Sequence, residues 1–348
     1  MTQPEAVLID CDPGIDDGVA LALAVCSPEI ELRCVTTVSG NAPVVLTTQN
    51  ALQLLRAFGR ADVPVAAGAT RALVRTTWHG QRSPHGENAI GGVELPGRTP
   101  EKQPEHAVAR LAATLLAADA QSVTIVAIGP LTNLALLLAL HPECADRVRR
   151  VVVMGGSTGP GNITPAAEFN IWTDPEAAYR VLADSGLDVC LVGLDVTRRA
   201  TLDEHHCEQL RAQSAQGALL ADMIRGYGDK RPDGWPLHDV LAVAAVVDPT
   251  IIQSRPVNIE VNTGVGSARG QTSCTFVDRG PAGPKRRGGA TKACQLAVDL
   301  DVGRFRALVM SRVAGPPVSA RQGWLTSQLG ALPTTPTVDY PWASRAAP

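Results

Sequence analysis

Short runs of β-branched and aliphatic residues alternate along the chain with longer stretches in which apolar positions recur every three or four residues, the periodicities of strand and helix in turn. The run Ala6-Val-Leu-Ile-Asp10 predicts a first strand, and the spacing over 16–26 predicts a helix after it. The alternation continues with a strand at 32–38, a helix at 44–58 and a short strand at 63–66. A Gly/Pro/Arg-rich stretch at 70–103 interrupts it, and a helix at 105–118, a strand at 123–128, a helix at 131–140 and a strand at 151–154 restore it. Helices cluster beyond Asp203, with two further strands at 251–261 and 272–277. From Gly315 the chain becomes a Pro/Ser/Thr/Ala mixture without periodicity, so a catalytic domain is expected over 1–314 and a tail over 315–348.

Strands that are apolar throughout, separated by helices, predict an α/β fold: a single domain with a mostly parallel central sheet flanked by helices. Ligands of such sheets bind beyond the carboxyl ends of the strands, so the polar residues there are the candidates for chemistry. The 31 basic and 34 acidic side chains argue against a basic nucleic-acid binder and against an acidic disordered tail. No apolar run reaches the ~18 residues of a membrane span, and Glu5 and Asp10 stand where a signal peptide would be basic and then apolar, so a soluble cytoplasmic protein is expected. The eight cysteines are scattered without a C-x-x-C pair or zinc-type spacing and read as reduced, mostly buried thiols.

The densest chemistry lies in Asp10-Cys-Asp-Pro-Gly-Ile-Asp-Asp17, four carboxylates between a strand and a helix. Like charges this close need protonation or a cation to offset them, and Pro13-Gly14 supplies a turn that can fold the later carboxylates back toward Asp12. A hard, oxygen-seeking cation such as calcium or magnesium suits this ligand set better than zinc. The plainer alternative is that Asp16 only caps the helix and the others are solvated. An EF-hand loop begun at Asp10 fails, because Leu21 stands at its twelfth position. A phosphatase with Asp10 as nucleophile and Asp12 as acid uses the same strand-end pair.

Further polar islands fall at other strand ends: Ser39-Gly-Asn41, Gly129-Pro-Leu-Thr-Asn133, and a glycine-rich stretch from Gly155 that contains Asn162, Glu168, Phe169 and Asn170. Pro160 and Pro165 argue against a dinucleotide loop, which would open directly into a helix. Amides and a carboxylate grouped there suit a polyhydroxylated ligand, although an ordinary polar loop has the same composition. His238-Asp239 opens an apolar helix, where a histidine is as often a helix-start residue as a catalyst. His85 alone would read as a surface loop residue.

Taken in order over about residues 6–312, the acidic turn, Ser39-Gly-Asn41, His85-Gly86, Gly129-Pro-Leu-Thr-Asn133, Gly161-Asn162 with Glu168-Phe-Asn170, and His238-Asp239 resemble the inosine-uridine preferring nucleoside hydrolases. The resemblance implies hydrolysis of the N-glycosidic bond of ribonucleosides with a tightly bound calcium ion (Ca2+), in a homodimer or homotetramer. Residue by residue it implies that Asp12, Asp17 and Asp239 bind calcium with the Ile128 carbonyl, and that Asp12 is the general base for water. It places Asp16, Asn41, Asn162, Glu168 and Asn170 on the ribose hydroxyls, Phe169 on the pocket wall, His85 beside the base, and His238 as the leaving-group acid. The chain departs from the family's usual pattern at Ile128, where Thr is common, at Ala89, where Gly is usual, and at Gly193, where Pro is common. With only twelve aromatic residues in the chain, Phe169, Tyr227 and Trp235 are expected beside the base. The alternatives to set against this reading are the Asp10/Asp12 phosphatase and a catalytically silent nucleoside-binding protein on the same fold.

Overall fold

A computed structural model describes residues 3–76, 84–95, 97–277 and 294–316. The strands are β1 (Glu5–Cys11), β2 (Ile30–Thr37), β3 (Val65–Ala67), β4 (Val123–Ala127), β5 (Val148–Met154), β6 (Val189–Val192), β7 (Thr201–Leu202), β8 (Trp235–Pro236), β9 (Ile252–Val261), β10 (Thr272–Phe276) and β11 (Cys294–Leu300). The helices are α1 (Ile15–Cys26), α2 (Val44–Ala57), α3 (Ala107–Leu116), α4 (Thr132–Leu140), α5 (Phe169–Thr173), α6 (Pro175–Ala178), α7 (Leu194–Thr197), α8 (Glu204–Gln213), α9 (Ala215–Arg225), α10 (His238–Val247) and α11 (Val302–Arg312). These elements lie in one unit, Met1–Val318. The Pro/Ser/Thr/Ala tail lies outside the described residues from 317 on, as do 77–83 and 96 of the Gly/Pro/Arg-rich stretch.

Nine strands form one sheet in the order β10-β9-β11-β6-β5-β4-β1-β2-β3. It is parallel from β3 through β11, and β9 then runs antiparallel to both β11 and β10. The period-two alternation of a strand divides the side chains between two cores: Val7, Ile9 and Cys11 join one, while Leu8 joins the other. Helices α1, α9, α10 and α11 cover the first face, and α3 and α4 the second. Helix α1 is buried on every side, which explains why its sequence, Ile-Asp-Asp-Gly-Val-Ala-Leu-Ala-Leu-Ala-Val-Cys, is apolar all round once the two aspartates are passed.

The expected strands and helices through 154 form, with ends that coincide or shift by at most three residues. Beyond that point the pattern reading omits β6, β11, the two-residue strands β7 and β8, and the short helices α5, α6 and α7. Strand β6 has only four residues, too few to show a period, and β11 mixes Gln295 and Asp299 into its apolar positions. All eight cysteines are free, six buried and Cys190 and Cys274 half-buried. Among the described residues, no helix is long and apolar enough to cross a membrane.

The sheet's order reverses between β1 and β4, whose neighbours lead away in opposite directions, and in open α/β sheets the crevice beyond the carboxyl ends at such a point is where ligands collect. Asp12 follows β1 and Ile128 follows β4. Through Phe305, which is fully buried, helix α11 docks on the core that α1 and α10 cover. Replacing Phe305 with Ala should cost about 3–5 kcal/mol of stability and lower the urea midpoint accordingly. An unchanged midpoint would contradict the docking of this helix.

Candidate active site

The turn after β1 is built around Asp17. Its carboxylate folds back to accept the Asp12 N–H at 3.2 Å and the Gly14 N–H at 2.8 Å, satisfying donors that the start of α1 would otherwise leave open. The segment after β2 closes over it: the Asn41 N–H donates to Asp12 Oδ2 at 2.6 Å, and Asn41 Nδ2 donates to the Asp12 carbonyl and to Asp17 Oδ2, each at 3.3 Å. Gly40 and Gly129 make this approach possible. A Cβ on Gly40 would lie 2.0 Å from Asp12 Oδ2, and one on Gly129 would lie 2.6 Å from Asp12 Oδ1.

Asp10 has another place. Its Oδ1 accepts from Thr36 Oγ1 at 2.5 Å and from Asn133 Nδ2 at 2.8 Å, and Asn133 also bonds the Thr37 carbonyl and the Ala69 N–H. The Gly129-to-Asn133 motif thus ties strand ends together through Asn133. Burial pushes Asp10 up to about 7, against the pull of Thr36 and Asn133. Asp10 is thus fully buried and engaged in tying the strand ends together through Thr36 and Asn133, and the phosphatase reading leaves the Asn162-to-Asn170 set and His238-Asp239 without a role.

Asp16, Asp17 and Asp239 each present a carboxylate oxygen, all within 4.8 Å of one another, a spacing that one metal ion can bridge. Asp12 is not in this closest set, and its Oδ2 accepts the Asn41 N–H. Its Oδ1, however, is buried with no hydrogen-bond partner among the described residues. Such an orphaned atom is costly unless a cation, a water or a proton meets it. Burial and then repulsion from Asp17 push Asp12 well above the ordinary carboxylate range and Asp16 up to about 7. Burial, then Asp16, Asp17 and Asp12, push Asp239 well above it too. An all-oxygen, anionic and buried donor set fits a hard divalent cation.

Above the carboxylates opens a cavity of about 500 Å³, bordered by Asp16, Asn41, His85, Ile128, Asn162, Glu168, Phe169, Asn170, His238 and Asp239. Asp12 and Asp17 lie beneath, fully buried and off its wall. On one side, Glu168 caps α5 and accepts N–H groups from Gly156 at 3.0 Å, Asn170 at 2.9 Å and Ile171 at 3.1 Å. Asn170 Nδ2 donates to the Ile128 carbonyl at 3.0 Å, and Asn162 Oδ1 accepts the Phe169 N–H at 2.8 Å. On the other side, His85 Nδ1 accepts the Ile15 N–H at 3.1 Å while its ring stacks on Tyr227, centroids 4.9 Å apart. His238 Nδ1 lies 2.7 Å from Thr197 Oγ1. Burial lowers His85 to about 4; burial, with Arg231 and Arg198 nearby, lowers His238 to about 3.

The sequence profile of the inosine-uridine preferring nucleoside hydrolases matches residues 7–307. The chain belongs to this family. It is 40% identical over 313 residues to a non-specific ribonucleoside hydrolase, RihC, of Klebsiella pneumoniae, covering 89% of this chain and 99% of that protein. Among solved structures it resembles a plant nucleoside hydrolase (TM-score 0.83, 30% identity, 90% of this chain and 100% of that one). It also resembles a purine-preferring ribonucleoside hydrolase from Gardnerella vaginalis (TM-score 0.80, 33% identity, 89% and 98%).

Of the three departures from the family's usual pattern, those at Ala89 and Gly193 have local backbone consequences. Ala89 holds a left-handed backbone, φ +62°, the conformation that glycine would adopt without strain. Gly193 has φ −85°, and a Cβ there would lie 2.9 Å from the Gly156 carbonyl, so the neighbouring loop has closed into the space a proline would need. Trp235 corrects an expectation: it is buried in the core under the Lys230 ammonium and does not border the cavity. Tyr227 does. Met154, Arg198 and Arg231 also line the cavity and were not anticipated. Met154 ends a parallel strand, a position that could have been flagged, whereas the arginines sit in loops whose paths no periodicity reveals.

Raised pKa values have a consequence for stability. Above the usual carboxylate range near ~4, four buried carboxylates, Asp10 and Asp16 raised to about 7 and Asp12 and Asp239 raised well above their ordinary value, keep protons in the folded chain that the unfolded chain has lost; they outnumber His85 and His238, which are held neutral and act in the opposite sense below ~6.5, so stability falls as pH rises toward 7. The unfolding temperature of chelator-treated protein should therefore drop from about pH 5 to about pH 8, and saturating calcium, which favours the ionised carboxylates, should flatten that slope. A rise over the same interval in chelator would contradict the assignment.

Proposed function

We propose that the chain hydrolyses the N-glycosidic bond of ribonucleosides, releasing ribose and the free base, with a calcium ion held by Asp12, Asp17 and Asp239 and by the Ile128 carbonyl. One observation carries the reading: a nucleoside-sized cavity edged with hydroxyl-binding amides and carboxylates lies directly over buried carboxylates, one of whose oxygens, Asp12 Oδ1, is orphaned. The names of the relatives, non-specific and purine-preferring ribonucleoside hydrolases, support the substrate class.

When bound, the cation supplies positive charge that offsets the carboxylates and acidifies an attacking water. The chain's own groups do the rest. Asp12 Oδ2 is fixed by the Asn41 N–H, which leaves Oδ1 as the atom that takes the water's proton. Asp16, Asn41, Asn162, Glu168 and Asn170 hold the ribose hydroxyls, and this fixes the anomeric carbon against the water. Anionic groups close to the sugar also favour the positive charge that grows on the ring as the C–N bond breaks. Phe169 walls the sugar, and the His85–Tyr227 stack flanks the base.

His238 takes a narrower role than the full acid that the resemblance implies. Burial lowers its pKa to about 3, and its Nδ1 pairs with the Thr197 hydroxyl; in the tautomer in which that hydroxyl donates, Nε2–H is the ring's donor for the departing base, a hydrogen bond that strengthens as negative charge develops there. Purified protein should release reducing sugar from inosine or uridine, and Asp12→Asn should lower kcat by at least about a thousandfold with an unchanged circular dichroism spectrum. Full activity in that variant would remove Asp12 as the base. Nucleoside binding by calorimetry with no sugar released by the wild type would favour the silent-binder alternative.

A further inference from the structure

The glycine-rich segment that brings Asn162 and Glu168 to the cavity is held differently in its two halves. Its inner half is buried: Glu168 is fixed by three N–H donors, and Thr272 Oγ1 accepts the Ser157 N–H at 2.9 Å and donates to the Ser157 carbonyl at 2.8 Å. Its outer half, from Thr158 to Asn162, is largely exposed and belongs to no helix or strand. That half is gripped from the rim of α7. The Asp195 carboxylate accepts the Thr158 N–H at 3.0 Å and the Thr158 hydroxyl at 2.5 Å, and the Arg198 guanidinium donates to the Pro160 carbonyl at 2.7 Å and the Gly161 carbonyl at 2.8 Å.

The grip lies next to the residue it would control. The chain doubles back tightly at Gly161, where a Cβ would meet the Ala167 carbonyl at 2.0 Å, and the Asn162 N–H donates to that same carbonyl at 3.1 Å. A shift of the 160–161 peptides therefore carries Asn162 with it. Asn162 Oδ1 is already committed to the Phe169 N–H, so its Nδ2 is the group left to offer a ligand, and the placement of that group depends on the loop. Charge-assisted hydrogen bonds to several backbone groups can hold an exposed loop, which would otherwise contribute little order of its own.

We propose that Asp195 and Arg198 are positioning residues that clamp the outer half of this loop and so set the aim of Asn162 on the sugar. The inference rests on the ribonucleoside reading above. Thr197, between them, holds His238, so one short turn braces two walls of the cavity.

Because Arg198 also borders the cavity while Asp195 does not, the two variants separate a clamp from a direct contact. A clamp predicts that Asp195→Ala and Arg198→Ala each raise KM for inosine or uridine about tenfold with kcat within about twofold, the signature of lost ground-state binding. It predicts that the double variant is no worse than the weaker single one, since both act on one loop. It also predicts faster proteolytic cleavage within 157–166 in each variant at an unchanged unfolding temperature, with Arg198→Lys recovering part of the loss. A KM rise confined to Arg198→Ala, additive effects, or an unchanged cleavage rate would overturn the clamp. If the wild type releases no ribose, the ribonucleoside reading fails, and the cleavage rates still decide whether Asp195 and Arg198 hold the loop.

Discussion

Burying several like charges in one small volume is the constraint on which the rest of this molecule turns. Asp12, Asp16, Asp17 and Asp239 are all nearly or wholly shielded from solvent, and three of them bring oxygens within 4.8 Å of one another. Desolvation and mutual repulsion act in the same direction, and both raise the free energy of the ionised state. The fold answers with backbone donors: the turn at Gly14, the Asn41 N–H and the amino end of α1, whose dipole favours negative charge. These donors do not suffice, since Asp12 Oδ1 receives none of them. A divalent cation among these carboxylates would offset their charge, and the same positive charge is the one the proposed chemistry would use.

The architecture around this cluster is arranged to bring distant segments to it. Parallel strands point their carboxyl ends the same way, so the residues after β1, β2, β4 and β5 meet although they are far apart in sequence. Glycines at 40 and 129 let two of those segments touch the Asp12 carboxylate, and Asn133 ties the strand ends together behind it. Helix α10 then delivers Asp239 and His238 from the covering layer. In the proposed reading, the sugar is met by groups that do not themselves belong to the sheet: the Glu168 cap on α5 and, through Asn162, the loop bracketed from α7.

What could be read from the chain beforehand follows from how local each signal is. The acidic turn was legible because four aspartates crowd into eight positions, and His238-Asp239 because it opens an apolar helix. The parallel sheet was legible from uniformly apolar runs. Strands β6 and β11 were not, being too short or too mixed to show a period. Asp195 and Arg198 had no signal either, because an exposed carboxylate and a half-buried guanidinium bonded to the backbone of a distant loop leave no pattern in sequence. Trp235 went astray for a related reason: being aromatic and near other site residues along the chain does not tell core from cavity.

The central claim is that the buried carboxylates form a cation site on which hydrolysis depends. Measuring the metal content of the purified enzyme by mass spectrometry alongside its rate of ribose release, before and after chelation and on adding calcium back, tests it most directly. The account predicts one divalent ion per chain, loss of both metal and activity on chelation, and recovery of the rate at about one equivalent of calcium. Full activity in a chain that carries no metal would contradict it.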